Sequence, residues 1–131
     1  METNDIMENK KRLPDSELAV MLIIWQRGEA IHTGEILQAL SAQKPHNLQA
    51  VQSTLNRLLK KNYVRCDKIG RLNYYTPLMD EAAYRALETE TFLERVYANS
   101  PVKLIAALIS RDTMSEEEIA EIRRLLEKGG E

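Results

Sequence analysis

One short hairpin pattern inside an otherwise helical sequence is the feature that most constrains this fold. In "YVRCDKIGRLNYYTPL", Val64 and Cys66 alternate with Tyr63, Arg65 and Asp67, and Leu72, Tyr74 and Thr76 alternate with Asn73 and Tyr75. Between the two runs "KIGR" supplies a glycine for the turn, and Pro77 ends the pattern. An isolated two-stranded ribbon is marginal at best in water, so this one must lean on helices.

Three helices are expected ahead of it. In "LPDSELAVMLIIWQRG", Asp15 or Ser16 can cap the first, Glu17 suits its positive end, and Gly28 stops it. Leu18, Met21, Leu22 and Trp25 are expected to face inward. "EAIH" can supply one short strand to join the hairpin, and Thr33 is expected to cap a second helix reaching about Ala42, buried through Ile36, Leu37 and Leu40. Pro45 breaks the chain and Asn47 caps a third helix. Three helices followed by a hairpin is the order of a winged helix-turn-helix, giving a mainly α fold with a small sheet.

The third helix, "HNLQAVQSTLNRLLKKNY", carries an apolar stripe of Leu48, Val51, Leu55, Leu58 and Leu59. Its opposite face is unusual, because solvated helix faces are ordinarily rich in Glu and Lys. Here Gln49, Gln52, Ser53 and Asn56 present short neutral groups that both donate and accept hydrogen bonds, and Ala50 lies near the helix start. Base edges in the major groove offer patterned donors and acceptors plus the thymine methyl, which such a face can read. Arg57, Lys60 and Lys61 follow at the basic end of the helix, Lys68 and Arg71 flank the hairpin turn, and Tyr74 and Tyr75 point to opposite faces. One tyrosine is expected to pack on the third helix and the other, assigned as Tyr75, to join those cations in contacting phosphate. Phosphate contacts fix position without reading sequence.

Net charge is −2 over 131 residues, which evenly spread would disfavour nucleic acid. It is concentrated instead. Residues 44–79 hold Lys44, Arg57, Lys60, Lys61, Arg65, Lys68 and Arg71 against Asp67 alone, a balance of +6 between an acidic beginning and an acidic end. Such a block is an electrostatic footprint for phosphate.

The remainder reads as helical: one helix over residues 80–98, an interruption at "NSP", the nearly all-apolar "VKLIAALI", and a last helix opened by a capping box of Ser115 with Glu118 and ended by Gly129 and Gly130. Its apolar positions, Tyr84, Leu87, Phe92, Val96, Leu104, Ile105, Leu108, Ile119, Ile122, Leu125 and Leu126, exceed what about fifty residues can hide, so a homodimer interface is expected there, the alternative being packing back on the first domain. The domain reading is a flexible tail over residues 1–12, a winged-helix DNA-binding domain over 13–79 and a helical dimerisation domain over 80–131. Lys10, Lys11 and Arg12 can reach DNA from the tail.

The segments "LPDSELAVMLIIWQRG", "TLNRLLKKNYV", "GRLNYYTPL", "FLERVY" and "MSEEEIAEIRRLL" together resemble the penicillinase-repressor family of bacterial transcription repressors, in the family's order from Leu13 to Leu126. The resemblance implies a homodimeric repressor on an inverted-repeat operator of double-stranded DNA. In the better-known members a membrane sensor protease relieves repression. Two departures leave the inducing signal open. β-Lactam-responsive members are cut at an Asn-Phe bond, where this chain has Ala107-Leu108 and no Asn-Phe anywhere; copper-responsive members carry C-terminal Cys-x-Cys motifs, which this chain lacks.

Other function classes find little footing. No nucleophile–base pair, metal cluster or glycine-rich phosphate loop points to an enzyme, metal or cofactor. His32 and His46 lack companions at ligand spacing, and Cys66, the single cysteine, is most simply a small buried hydrophobe. No segment looks secretory or membrane-inserting, so a cytoplasmic location is expected. The competing reading is a winged-helix module for protein–protein contact without specific DNA binding.

Overall fold

The computed structural model describes residues 12–129; the expected tail, with Lys10 and Lys11, and the expected stop at Gly130 lie outside them. The chain divides into two compact units, Met1–Glu88 and Thr89–Glu131. The expected boundary at residue 79 falls inside the first unit.

The first unit begins with α1 (Asp15–Arg27), followed by β1 (Ile31–His32), α2 (Thr33–Ser41), α3 (Leu48–Lys60), β2 (Val64–Ile69) and β3 (Leu72–Pro77). The strands form an antiparallel sheet in the order β1-β3-β2. Ile31 lies opposite Tyr75 on one side, and Cys66 lies opposite Tyr75 on the other. Gly70 opens the hairpin turn at φ +64°, in the left-handed region that a side chain would strain. Gly28 ends α1 in the same way at φ +76°.

Two caps differ from expectation. Asp15 and Ser16 lie within α1, which starts from Pro14 without a side-chain cap. His32, not Thr33, caps α2: its Nδ1 accepts from the Gly34 amide, and the Glu35 carboxylate accepts from the His32 amide. Asn47 caps α3 as expected, accepting from the Ala50 amide at 2.8 Å.

The inward face of α1 is also rotated from the expected one. Val20, Met21 and Ile24 are buried, Leu18 and Trp25 only partly, and Leu22 is exposed. In "LAVMLIIW" nearly every position is apolar, so periodicity cannot choose a face. In α3 the stripe holds at Val51, Leu55 and Leu58, Leu59 is half-buried, and Leu48 in the first turn is exposed. These residues join Ile31, Ile36, Leu40, Tyr63, Val64 and Tyr75 in one core.

The last helix of this unit is the start of α4 (Glu81–Tyr97), which continues into the second. Tyr84 completes the first core at 2% exposure. Its ring lies 5.6 Å from Trp25 and 6.0 Å from Tyr63, and its hydroxyl accepts from the Leu13 amide at 2.7 Å. Trp25 in turn donates to the Met79 carbonyl at 2.8 Å.

The second unit contains the rest of α4, then α5 (Pro101–Ser110) and α6 (Glu116–Lys128). Ala98 and Asn99 take positive φ where α4 ends. Ser100 caps α5, and the Ser115–Glu118 capping box opens α6 as expected. Neither α5 nor α6 has a buried residue among those described.

Candidate nucleic-acid interface

The exposed side of α3 is built by what the other side must do. Because Val51, Leu55 and Leu58 are fixed in the core, Gln49, Ala50, Ser53 and Asn56 are held in solvent and Gln52 lies half-buried beside them. The five expected base readers therefore share one surface. Their chemistry is not equivalent. Gln52 Nε2 donates to Asn56 Oδ1 at 3.1 Å and to the Tyr75 hydroxyl at 3.3 Å, and Ser53 Oγ accepts from Arg57 at 3.2 Å.

The basic end of the helix departs from expectation. Glu17, only 3% exposed, reaches from α1 and takes Arg57 Nε on one carboxylate oxygen at 3.1 Å and Lys61 Nζ on the other at 2.5 Å. Arg57 spends further donors on Ser53 and Thr54. A carboxylate withdrawn from water needs such partners, because an uncompensated buried charge is costly. Arg57 and Lys61 therefore join α3 to α1 in this structure instead of standing free for phosphate. Glu17 lies at helical spacing from Val20, Met21 and Ile24 and so falls on the buried stripe of α1, a face that periodicity alone did not select.

Tyr75 is corrected as well. At 1% exposure it is buried beneath α3 and cannot offer its hydroxyl to a phosphate. Burial pushes its phenol pKa upward, which keeps it a neutral O–H; the Gln52, Cys66 and Thr33 side chains interact with it there. Tyr74, on the other face of β3, is half-buried with its ring edge-on to His32.

Of the seven cations in the basic block, Arg65 pairs with Asp67 at 2.9 Å. Lys44, Lys60, Lys68 and Arg71 are exposed and make no ion pair among the described residues. Lys68 and Arg71 stand at the hairpin tip beside the exposed Ile69 and Leu72. Arg12 pairs with Glu88 at 3.1 Å.

The residues expected at a dimer interface separate into two sets. Tyr84 is in the core of the first unit, and Leu87 packs half-buried against that core. Both belong to the first unit, and Tyr84 in particular has no surface left for a partner. Phe92, Val96, Leu108, Leu125 and Leu126 are exposed, while Leu104, Ile105, Ile119 and Ile122 are half-buried. Among the described residues no cluster of His, Cys, Asp and Glu could hold a metal ion, and no helix is long and apolar enough to cross a membrane.

Comparison with known proteins gives a consistent result. A family model described as penicillinase repressor matches residues 13–128. The penicillinase repressor of Bacillus licheniformis is 33% identical over 122 residues, covering 93% of this chain and 94% of that protein. The methicillin resistance regulatory protein MecI of Staphylococcus aureus strain N315 is 26% identical over 123 residues, covering 93% and 99%. The solution structure of the DNA binding domain of the repressor BlaI matches with a TM-score of 0.51 and 37% identity, over 56% of this chain and 88% of that one. The first unit is a winged-helix domain, and the chain belongs to the penicillinase repressor family.

Proposed function

We propose that this protein is a sequence-specific DNA-binding transcriptional repressor that acts as a homodimer on an inverted repeat of double-stranded DNA. The observation that carries the reading is the uncharged Gln49–Ala50–Gln52–Ser53–Asn56 surface of α3, with Lys60, Lys68 and Arg71 exposed on the same winged-helix unit and without an ion pair among the described residues. Neutral two-way hydrogen-bonding groups suit base edges, and the cations suit the phosphates. Similarity to the DNA binding domain of BlaI supports the same reading. The proposed phosphate contacts are Lys60, Lys68 and Arg71, with Arg57 and Lys61 serving to set the helix.

Homodimerisation is supported by the second unit. Val102, Ile109, Leu125 and Leu126 are more than half exposed, an apolar load that a second copy can cover with the same surface. Release by a membrane sensor protease would need a cleavage chemistry other than an Asn-Phe cut, since Ala107-Leu108 stands within α5.

Filter binding of genomic fragments at low and moderate salt tests the function. Selective retention of a few fragments containing an inverted repeat is expected. Uniform retention, or none, would leave the winged helix as a protein-contact module. Sedimentation of the full chain should give about twice the 15.0 kDa monomer mass.

A further inference from the structure

Reading of bases by α3 sets the frame for a sharper question: what can Gln52 read? Glutamine in the major groove ordinarily engages adenine with both ends of its carboxamide, accepting from N6–H and donating to N7. That requires a free N–H. The Gln52 nitrogen has two hydrogens and two acceptors, Asn56 Oδ1 at 3.1 Å and the Tyr75 hydroxyl oxygen at 3.3 Å. The Tyr75 hydroxyl is buried, and besides Gln52 it interacts with the side chains of Cys66, which faces it on the paired strand, and of Thr33. The phenol oxygen accepts from Gln52 at 3.3 Å, with Thr33 beside it. Withdrawing that N–H toward DNA would take a donor away from a buried oxygen, which is the unfavourable direction for a hydrogen bond to change.

We propose that Tyr75 is a specificity-determining positioning residue: with Asn56 it occupies both N–H groups of Gln52 and makes that side chain an acceptor-only reader of base amino groups. Gln52 Oε1 then accepts from adenine N6 or cytosine N4 and makes no demand on adenine N7. On one strand of the operator the base facing Gln52 is therefore an amino base, either A or C. Guanine and thymine, which present a carbonyl oxygen there, are rejected. The wing contributes to specificity from beneath the reading helix, through a residue that touches no DNA.

The inference rests on α3 being the base reader, so the experiment separates the two. The full-length protein is first used to select sites from random duplexes, and Gln52→Ala locates the base pair it reads. Absence of any selected sequence would overturn the repressor reading and this inference together. With a site in hand, wild-type protein is titrated with duplexes carrying single base analogues at that position. Replacing adenine by purine, which lacks the amino group, should weaken binding by about 5- to 50-fold, the range of one base contact. Replacing it by 7-deazaadenine, which lacks N7, should change binding by less than about 2-fold. Tyr75→Phe keeps the ring and frees one N–H; for that variant 7-deazaadenine should become unfavourable and adenine should gain over cytosine. Loss of wild-type binding with 7-deazaadenine, or selection of guanine or thymine at the position, would overturn the proposal. So would a folded Tyr75→Phe variant with an unchanged base preference. The analogue series needs only wild-type protein, so poor folding of the variant leaves the test intact.

Discussion

The two units receive similar helical sequences and treat them differently. In the first, Val51, Leu55 and Leu58 of the apolar stripe of α3 disappear into a core shared with α1, α2 and the sheet, leaving only Leu48 of the stripe exposed. In the second, α5 is the more apolar helix to the eye, "PVKLIAALIS", yet it buries no residue, and neither does α6. The same physical signal is satisfied inside one unit and left open in the other. An amphipathic stripe records that a helix must be covered; it does not say whether the cover comes from its own chain. Where the cover is internal, the polar side of the helix is released for recognition. Where it is not, the apolar side is itself available for recognition.

Tyr84 gives the sharpest way to break this division, because the sequence placed it with the second unit. Tyr84→Ala should destabilise the first unit by about 3–5 kcal/mol, the cost of removing a large buried aromatic, and Trp25 fluorescence during denaturation should report it. If that transition stayed put and only self-association weakened, Tyr84 would belong to the other side. Next in size, Leu126→Gln should leave the Trp25 transition alone. It should weaken the dimer by about 1.5–3 kcal/mol, as for one buried leucine, read from sedimentation. A lower Trp25 midpoint with intact dimer would reverse the assignment of roles.

Glu17→Gln sharpens the division within the first unit. Removing its charge should cost about 1–3 kcal/mol of stability, the usual range for a hydrogen bond to a charged group, because Arg57 and Lys61 are partly exposed and can return to water. Each cation redirected to phosphate should steepen the dependence of log affinity on log salt by about 0.9. An unchanged slope would mean that the two cations stay out of DNA contact even when released. The smallest effect is expected from pH. Burial, helped by the charges of Glu17 and Glu88, pushes the Tyr63 phenol to about 12, and burial also raises Tyr84. The unfolded chain ionises near 10 and the folded one resists, so stability is complete below pH ~10 and declines from there through about 12. Denaturant midpoints of the Trp25 transition at pH 9 and 11 would show whether the decline belongs to the first unit.

Local chemistry was legible in the sequence. The Asn47 cap, the Ser115–Glu118 box, the Gly28 stop and the glycine turn all came from residues within a few positions of one another. The shared surface of Gln49, Ala50, Gln52, Ser53 and Asn56 followed from helical spacing alone. What the spacing missed depends on distant partners. Arg57 and Lys61 read as free cations because Glu17 lies 40 and 44 residues away in the chain. Tyr75 and Tyr74 alternate identically, and only the placing of β3 between two strands, with α1 and α2 packed on it, decides which is buried. The unit boundary was hidden because α4 runs through it without a proline or glycine, whereas Pro77 marks only the end of β3.

The hydrogen bond from Leu13 to Tyr84 spans 71 positions of the chain. It ties the first described turn of the domain to its last helix. During synthesis α3 is finished and outside the ribosome before residue 84 emerges, so for that interval the nascent domain holds α3 over a core whose final aromatic wall is missing. A pause after the wing has emerged but before residue 84 has would leave Trp25 and Tyr63 open to chaperones and proteases. The domain becomes resistant only when α4 is translated, which makes the start of the helix leading to the second unit the latch of the first.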